Sequence, residues 1–158
     1  MRAVVQRVRQ GGVTSGGRTL ASIGKGYVIL VGVRMGDTRE DALFLADKCA
    51  ALRVMADAEG KMNLSLRDAG GAAIVVSQFT LYGDARKGNR PGFSDAAPPN
   101  EAIPLYELFI SRMREHLGSD AVHTGEFGAM MDVTIVNDGP VTILLESPNH
   151  NHPRSATP

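Results

Sequence analysis

The chain alternates between short unbroken apolar runs and stretches in which apolar residues recur every three or four positions, and this pattern divides it into strands and helices. Residues 2–8 mix β-branched and polar side chains. Gln10-Gly11-Gly12 and Ser15-Gly16-Gly17 then supply turn chemistry around a short strand at Val13, so a hairpin region is expected there. Tyr27 to Val33 is continuously apolar and rich in β-branched residues, which predicts a strand, central in its sheet. Asp37-Thr38 offers N-cap oxygens, Glu40 and Asp41 fall in a first turn, and Ala42, Leu45, Cys49 and Leu52 follow at helical spacing. Arg53 to Asn63 reads as a strand running into an acidic turn closed by Gly60. Ala72 to Val76, preceded by Gly70-Gly71, has the composition of a strand covered on both faces. After Pro98-Pro99-Asn100, a second helix carries Leu105, Leu108, Phe109, Met113 and Leu117 on one stripe and ends at Gly118, with Pro104 suited only to its first turn. Ile110 lies off that stripe, a hint of cover from outside the chain. Met131 to Val136 and Val141 to Leu145 predict a closing hairpin that turns through Asn137-Asp138-Gly139-Pro140. The stretch from Ser147 to Pro158 holds no aliphatic residue larger than Ala and is expected to be disordered.

The strand at residues 72–76 runs directly into Ser77-Gln78-Phe79-Thr80-Leu81, where hydroxyls and an amide replace aliphatic side chains. If the strand continues, Ser77 and Phe79 share one face and Gln78 and Thr80 the other. Two readings stand side by side: a strand end that simply reaches water, and functional groups mounted on a rigid element. Beyond it, Gly83 to Phe93 is a loop with Arg86, Lys87 and Arg90 close together, read either as a solvated surface or as a phosphate contact.

Composition narrows the function classes. With 158 residues and 43% hydrophobic content the chain suits one domain with a real core. Seventeen basic against seventeen acidic residues cancel, so any contact with nucleic acid must be local. The single cysteine, Cys49, excludes an intrachain disulfide and reads as core packing. No secretory leader and no membrane-length apolar run occur, so a cytoplasmic location is expected. None of the four histidines, His116, His123, His150 and His152, lies in a catalytic motif, and His150-Asn151-His152 reads as solvent-exposed rather than as a metal site. A hydrolase using Ser77 or Thr80 as nucleophile would need a base that the neighbouring sequence lacks. If this is an enzyme, its substrate brings part of the chemistry.

Asn137-Asp138-Gly139-Pro140 is the second unusual stretch. Asn-Asp-Gly alone suffices for a tight turn, and proline at the start of the returning segment removes a ladder donor. A trans Gly139-Pro140 bond makes it an ordinary turn. A cis bond would set two successive carbonyls in an unusual relative orientation, able to receive an ammonium group.

These residues carry a resemblance. Ser77-Gln78-Phe79-Thr80-Leu81 and Asn137-Asp138-Gly139-Pro140-Val141-Thr142 resemble the two signature blocks of the D-aminoacyl-tRNA deacylases, the D-tyrosyl-tRNA deacylase family. Gln6-Arg7-Val8, Asp57 to Asn63 and Arg90-Pro91-Gly92-Phe93 extend the likeness over residues 1–146 as one deacylase domain. The resemblance implies an α+β fold of mainly antiparallel β-sheets packed with two principal helices, and a homodimer. It also implies that Gly139-Pro140 is cis and reaches into the partner's pocket, where the two carbonyls take the substrate α-amino group. Arg7 would brace that turn, with Val141 and Thr142 beside it on the substrate side. Ser77, Gln78 and Thr80 would line the pocket for the terminal adenosine as the catalytic candidates, with Phe79 against its base or sugar. The 2′-hydroxyl of that adenosine is thought to assist ester hydrolysis in this family, and Thr80 is the older nucleophile candidate.

The implied substrates are D-aminoacyl-tRNA and mischarged glycyl-tRNA, with Arg86, Lys87 and Arg90 as tRNA contacts and no metal or organic cofactor. Gly92 stands where the family commonly has Ser, while Phe79 and Val141 favour the D-specific branch. Two alternatives of other classes remain: a non-catalytic dimer that binds an RNA end, and an esterase with a Ser or Thr nucleophile.

Overall fold

The computed structural model describes residues 1–148; the remainder of the tail, with His150-Asn151-His152, lies outside the described residues. The spine of the fold is β1 (Arg2–Ser15). One edge of β1 pairs antiparallel with β3 (Gly26–Gly32) along its first half and with β2 (Arg18–Ile23) along its second. Its other edge pairs antiparallel with β8 (Asp132–Glu146) from Arg2 to Thr14. The six-stranded sheet continues from β3 through parallel pairing to β6 (Ala72–Ser77) and β7 (Val122–Thr124). The segment at residues 53–64 forms the small antiparallel pair β4 (Met55–Ala56) and β5 (Met62–Leu64). The architecture is thus the expected mixture of two helices and mainly antiparallel sheet.

Strand periodicity sets the core. Tyr27, Ile29 and Val31 on β3, with Ala73 and Val75 on β6, face one way into a cluster closed by both helices. Val28, Ile74 and Val76 face the other way and meet Val8, Val13, Ala21 and Ile23, so the far half of β1 and β2 curls over the back of the sheet. Gly11 lies at this crossing: a Cβ there would stand 2.8 Å from Val28 Cγ2, which makes glycine the residue that allows the approach. Both faces of β3 and β6 are therefore buried, as their continuous apolar runs predicted.

Helix α1 (Arg39–Ala51) starts at Thr38, whose backbone N–H donates to the Asp41 carboxylate at 2.9 Å. Cys49 is fully buried on its inner face, and burial pushes its thiol up to about 12, which suits a packing residue and not a nucleophile. Helix α2 (Pro99–Leu117) begins with Pro99, so Pro104 falls inside the helix and beyond the first turn expected for it. Ile110, read as a sign of outside cover, is buried within its own chain, together with Phe109 and Met113. No helix among the described residues is long and apolar enough to cross a membrane.

Two further expectations need correction. Residues 131–145 do not form a hairpin: β8 is one strand laid along β1, and residues 138–141 bulge from it opposite Arg7. The two apolar runs pair with β1 and not with each other, so the Asn-Asp-Gly-Pro segment interrupts a strand without reversing it. At the closed end, the Met1 ammonium donates to Asp37 Oδ1 at 2.7 Å and to Ser147 Oγ at 2.6 Å. Ser147, assigned to the tail by its sequence, is buried there.

The two helices are tied at their outer edge. Arg112 Nε donates to Asp47 Oδ1 at 2.6 Å, and His116 Nε2 lies 2.6 Å from the same oxygen. The Arg112 hydrogen bond holds the Asp47 carboxyl below its ordinary 3.8, against opposing burial. A depressed carboxylate contributes fully above its unfolded value and loses its contribution as pH falls through the folded one. Because the pair is partly exposed, Asp47→Asn is expected to cost only roughly 0.5–1 kcal/mol at pH 7. That difference should shrink as pH falls through the folded value, as denaturant midpoints followed from neutral to acid pH will show.

Candidate active site

Strand β6 ends at Ser77. Gln78 N–H donates to the Val31 carbonyl at 2.8 Å, and the chain then turns into a short 3₁₀ helix at Phe79–Tyr82. The strand alternation expected through Thr80 therefore stops at Ser77. Gln78 and Thr80 do come together, but through a local hydrogen bond, Gln78 Nε2 to Thr80 Oγ1 at 2.5 Å.

Ser77, Gln78 and Phe79 line a cleft of about 650 Å³ whose other walls are apolar: Phe93, Ala96, Ala97, Phe127, Met130, Met131 and Val133 among them. Phe79 is 55% exposed and meets Phe93 edge to face, with ring centroids 5.1 Å apart. Such a ledge offers apolar area to a flat ring. Thr80 is exposed and lies outside the cleft lining.

Phe93 follows the basic loop, which is closed at its base by reciprocal hydrogen bonds between the main chains of Asp84 and Gly92 at 2.8 and 2.9 Å. Within it, the Arg86 guanidinium grips Asp84 through two bonds, at 2.8 and 2.5 Å, whereas Lys87 and Arg90 stand exposed. Gly92 lies in the exposed base of the loop, outside the cleft lining.

The described histidines are elsewhere. His116 belongs to the helix seam with Asp47, and His123 lies in β7 beside Ile74. Neither forms a hydrogen bond with Ser77 or Thr80, and no group of three metal-ligating side chains occurs among the described residues.

The Gly139-Pro140 bond is cis, and both residues are exposed at the crest of the β8 bulge. Arg7, only 12% exposed, runs beneath them: its Nε donates to the Asp138 carbonyl at 3.1 Å and lies 3.2 Å from the Asp138 carboxylate, while Nη1 donates to the Val54 carbonyl at 2.6 Å. Val141 is half-buried, and the exposed Thr142 turns its hydroxyl toward Gln6. Neither Gly139 nor Pro140 reaches the cleft lining of its own chain. The structure thus brings Ser77, Gln78 and Phe79 together and Arg7, Gly139 and Pro140 together, as two separate groups.

Phe127, Met130 and Met131 were not legible as cleft residues. They lie on the connection from β7 to β8 and reach the cleft only through the fold. Met130, 91% exposed at the rim, is the one with a surface signal.

The sequence model for the family described as D-Tyr-tRNA(Tyr) deacylase matches residues 4–146. A D-aminoacyl-tRNA deacylase of Roseiflexus castenholzii is 57% identical over 155 residues, 98% of each chain. One of Thermus aquaticus is 54% identical over 147 residues, 93% of this chain and 95% of that protein. A solved structure described as c-Myc DNA Unwinding Element Binding Protein is 42% identical and superposes with a TM-score of 0.89, over 94% of this chain and 99% of its own. The chain belongs to the D-Tyr-tRNA(Tyr) deacylase family.

The crest of the bulge tolerates no side chain at its first residue. Gly139 has φ +123°, and a Cβ there would stand 2.8 Å from Val141 Cγ2, 3.0 Å from the Val141 nitrogen and 3.1 Å from Arg7 Nη2. Gly139→Ala is expected to displace the Arg7 contact and to cost about 1–3 kcal/mol, read from the denaturant midpoint. An unchanged midpoint would mean that the bulge relaxes freely.

Proposed function

We propose that two copies of this chain together hydrolyse the ester joining a D-amino acid to the terminal adenosine of tRNA, releasing free tRNA and amino acid. The observation that carries this reading is the separation of two incomplete half-sites. Among the described residues the cleft beside Ser77 and Phe79 is lined mainly by apolar side chains and by no carboxylate that could hold an ammonium. The Gly139-Pro140 crest is exposed, braced by Arg7 and outside the lining of that cleft. A second copy supplies each with the other. Residues 1–146 form this deacylase domain, working in the cytoplasm, where charged tRNA is used, without metal or organic cofactor.

The adenosine lies on Phe79, and main-chain groups at Ser77 and Gln78 face the ester. The partner's Gly139 and Pro140 carbonyls accept the α-ammonium, with Val141 and Thr142 flanking them. An L side chain would then point into the backbone of the crest and clash, whereas a D side chain points outward. Selectivity comes from exclusion. Glycine has no side chain to exclude, so mischarged glycyl-tRNA is also a substrate.

No side-chain base bonds to Ser77 or Thr80 among the described residues, which favours assistance by the RNA 2′-hydroxyl over a Thr80 nucleophile. Lys87 and Arg90 contact phosphates near the acceptor end, and Arg86 contributes less while Asp84 holds it.

The deciding experiment charges one tRNA separately with the D form of an amino acid, its L form and glycine. Release from the D and glycyl substrates is expected, with the L substrate slower by at least about 100-fold. No release from any of them would leave a non-catalytic protein that binds RNA ends. Thr80→Ala is expected to keep most of its rate; total loss with binding intact would make Thr80 the nucleophile. For the loop, Lys87→Ala with Arg90→Ala should weaken tRNA binding and flatten its salt dependence by roughly 1.4–2 in log–log slope. An unchanged slope would return the loop to ordinary solvated surface.

A further inference from the structure

We infer that Gln6 is a positioning residue for the Gly139-Pro140 crest, fastening both legs of the bulge through one amide oxygen; this rests on the deacylase reading above. The need for a fastener follows from the β1–β8 register. Gln6 pairs with Thr142, and Val8 pairs with Asn137. Four residues of β8, 138–141, therefore stand opposite the single Arg7, where an ordinary bulge inserts one. Between those two pairs the ladder does nothing to fix how far the legs stand apart or how the crest leans.

Gln6 closes this opening. Its Oε1 accepts from Asn137 Nδ2 at 2.9 Å on one leg and from the Thr142 hydroxyl on the other. Successive residues on a strand point to opposite faces, so Gln6 and Arg7 hold the bulge from two sides. Arg7 grips the Asp138 carbonyl beneath the crest, and Gln6 draws its two ends together. An amide oxygen has two lone pairs, and both are used.

Asn137 carries a further sign that its side chain serves this purpose. Its Oδ1 is buried with no hydrogen-bond partner among the described residues. A bare buried acceptor is unfavourable, and an apolar residue would avoid it. The asparagine therefore stands there for its donor, which goes to Gln6. Local penalties of this kind are expected where function constrains the backbone.

The functional consequence concerns hand more than rate. Capture of the ammonium needs two carbonyls nearby, which a loosened crest still offers part of the time. Rejection of an L side chain needs the backbone to stay put, because a wall that yields by a fraction of an ångström removes the clash. Loss of the Gln6 acceptor should thus raise cleavage of L-aminoacyl-tRNA relative to D.

The test compares Gln6→Met, which keeps the length of the side chain and removes the acceptor, with Gln6→Glu, which keeps acceptors for both donors. Rates on tRNA charged with the D and L forms of one amino acid are measured beside thermal midpoints. Gln6→Met is expected to lower the D:L ratio by about tenfold or more, and Gln6→Glu to restore it to near the wild-type value. A ratio unchanged in Gln6→Met, or equally damaged in Gln6→Glu, overturns the inference. Should Gln6→Met fail to fold, Asn137→Leu removes the donor to Gln6 Oε1 at similar size and must lower the ratio likewise, and an unchanged ratio there is equally fatal. Wild-type protein inactive on D-aminoacyl-tRNA would instead remove the underlying reading, and the inference with it.

Discussion

The pairing of β1 with β8 is the constraint on which the rest of the structure depends. One edge of β1 carries β3 and β2 in succession, and the other carries β8 over almost its whole length. Because β1 crosses from the helix-covered face to the back of the sheet, β8 must follow it, and both apolar clusters are built on that shared path. A strand so fully committed has no freedom to shift register, since a slip of one residue would turn its buried side chains outward. The bulge at 138–141 is possible only because the pairing on either side of it is secure. Gln6 and Arg7, which hold it, are themselves consecutive residues of β1.

The same commitment explains the division of labour between backbone and side chain. The cleft is made where β6 ends against the connection to β8, and the exposed crest is made where β8 leaves β1. The thiol and carboxylate shifts described above, at Cys49 and Asp47, belong to the core and to the helix seam. On the proposed reading, such a site acts through fixed carbonyls, amide groups and apolar walls, and its precision comes from the sheet.

Much of the fold was legible because it rests on local periodicity. The continuous runs at 27–33 and 72–76 became β3 and β6, buried on both faces, and the apolar spacing at 42, 45 and 49 became the inner face of α1. What failed were inferences about pairing and direction. Asn137-Asp138-Gly139-Pro140 between two β-branched runs has the composition of a hairpin turn, and nothing within those residues reveals that both runs pair with β1. The alternation carried from Val76 through Thr80 ends where β6 does, with the Gln78 N–H making the last ladder bond to Val31 before the chain turns into the 3₁₀ helix at Phe79–Tyr82. Phe127 and Met130 were invisible as cleft residues for a similar reason, because their position is set by where β7 and β8 lie.

A chiral gate made of main chain, as proposed for the crest, also limits what any sequence can say about substrate choice. Side chains encode preference through size, charge and hydrogen-bonding pattern, each of which leaves a residue to be read. On the proposed reading, the crest contributes two carbonyls and an excluded direction, and those are the same for every residue type that can adopt the backbone. Discrimination between mirror images needs three fixed points around Cα, and here the ester, the ammonium and the forbidden direction supply them. None of the three measures the length or polarity of the side chain that points outward. Strictness toward hand and indifference toward size are then one property, and the residues that set its quality are those that keep the backbone still without touching the substrate.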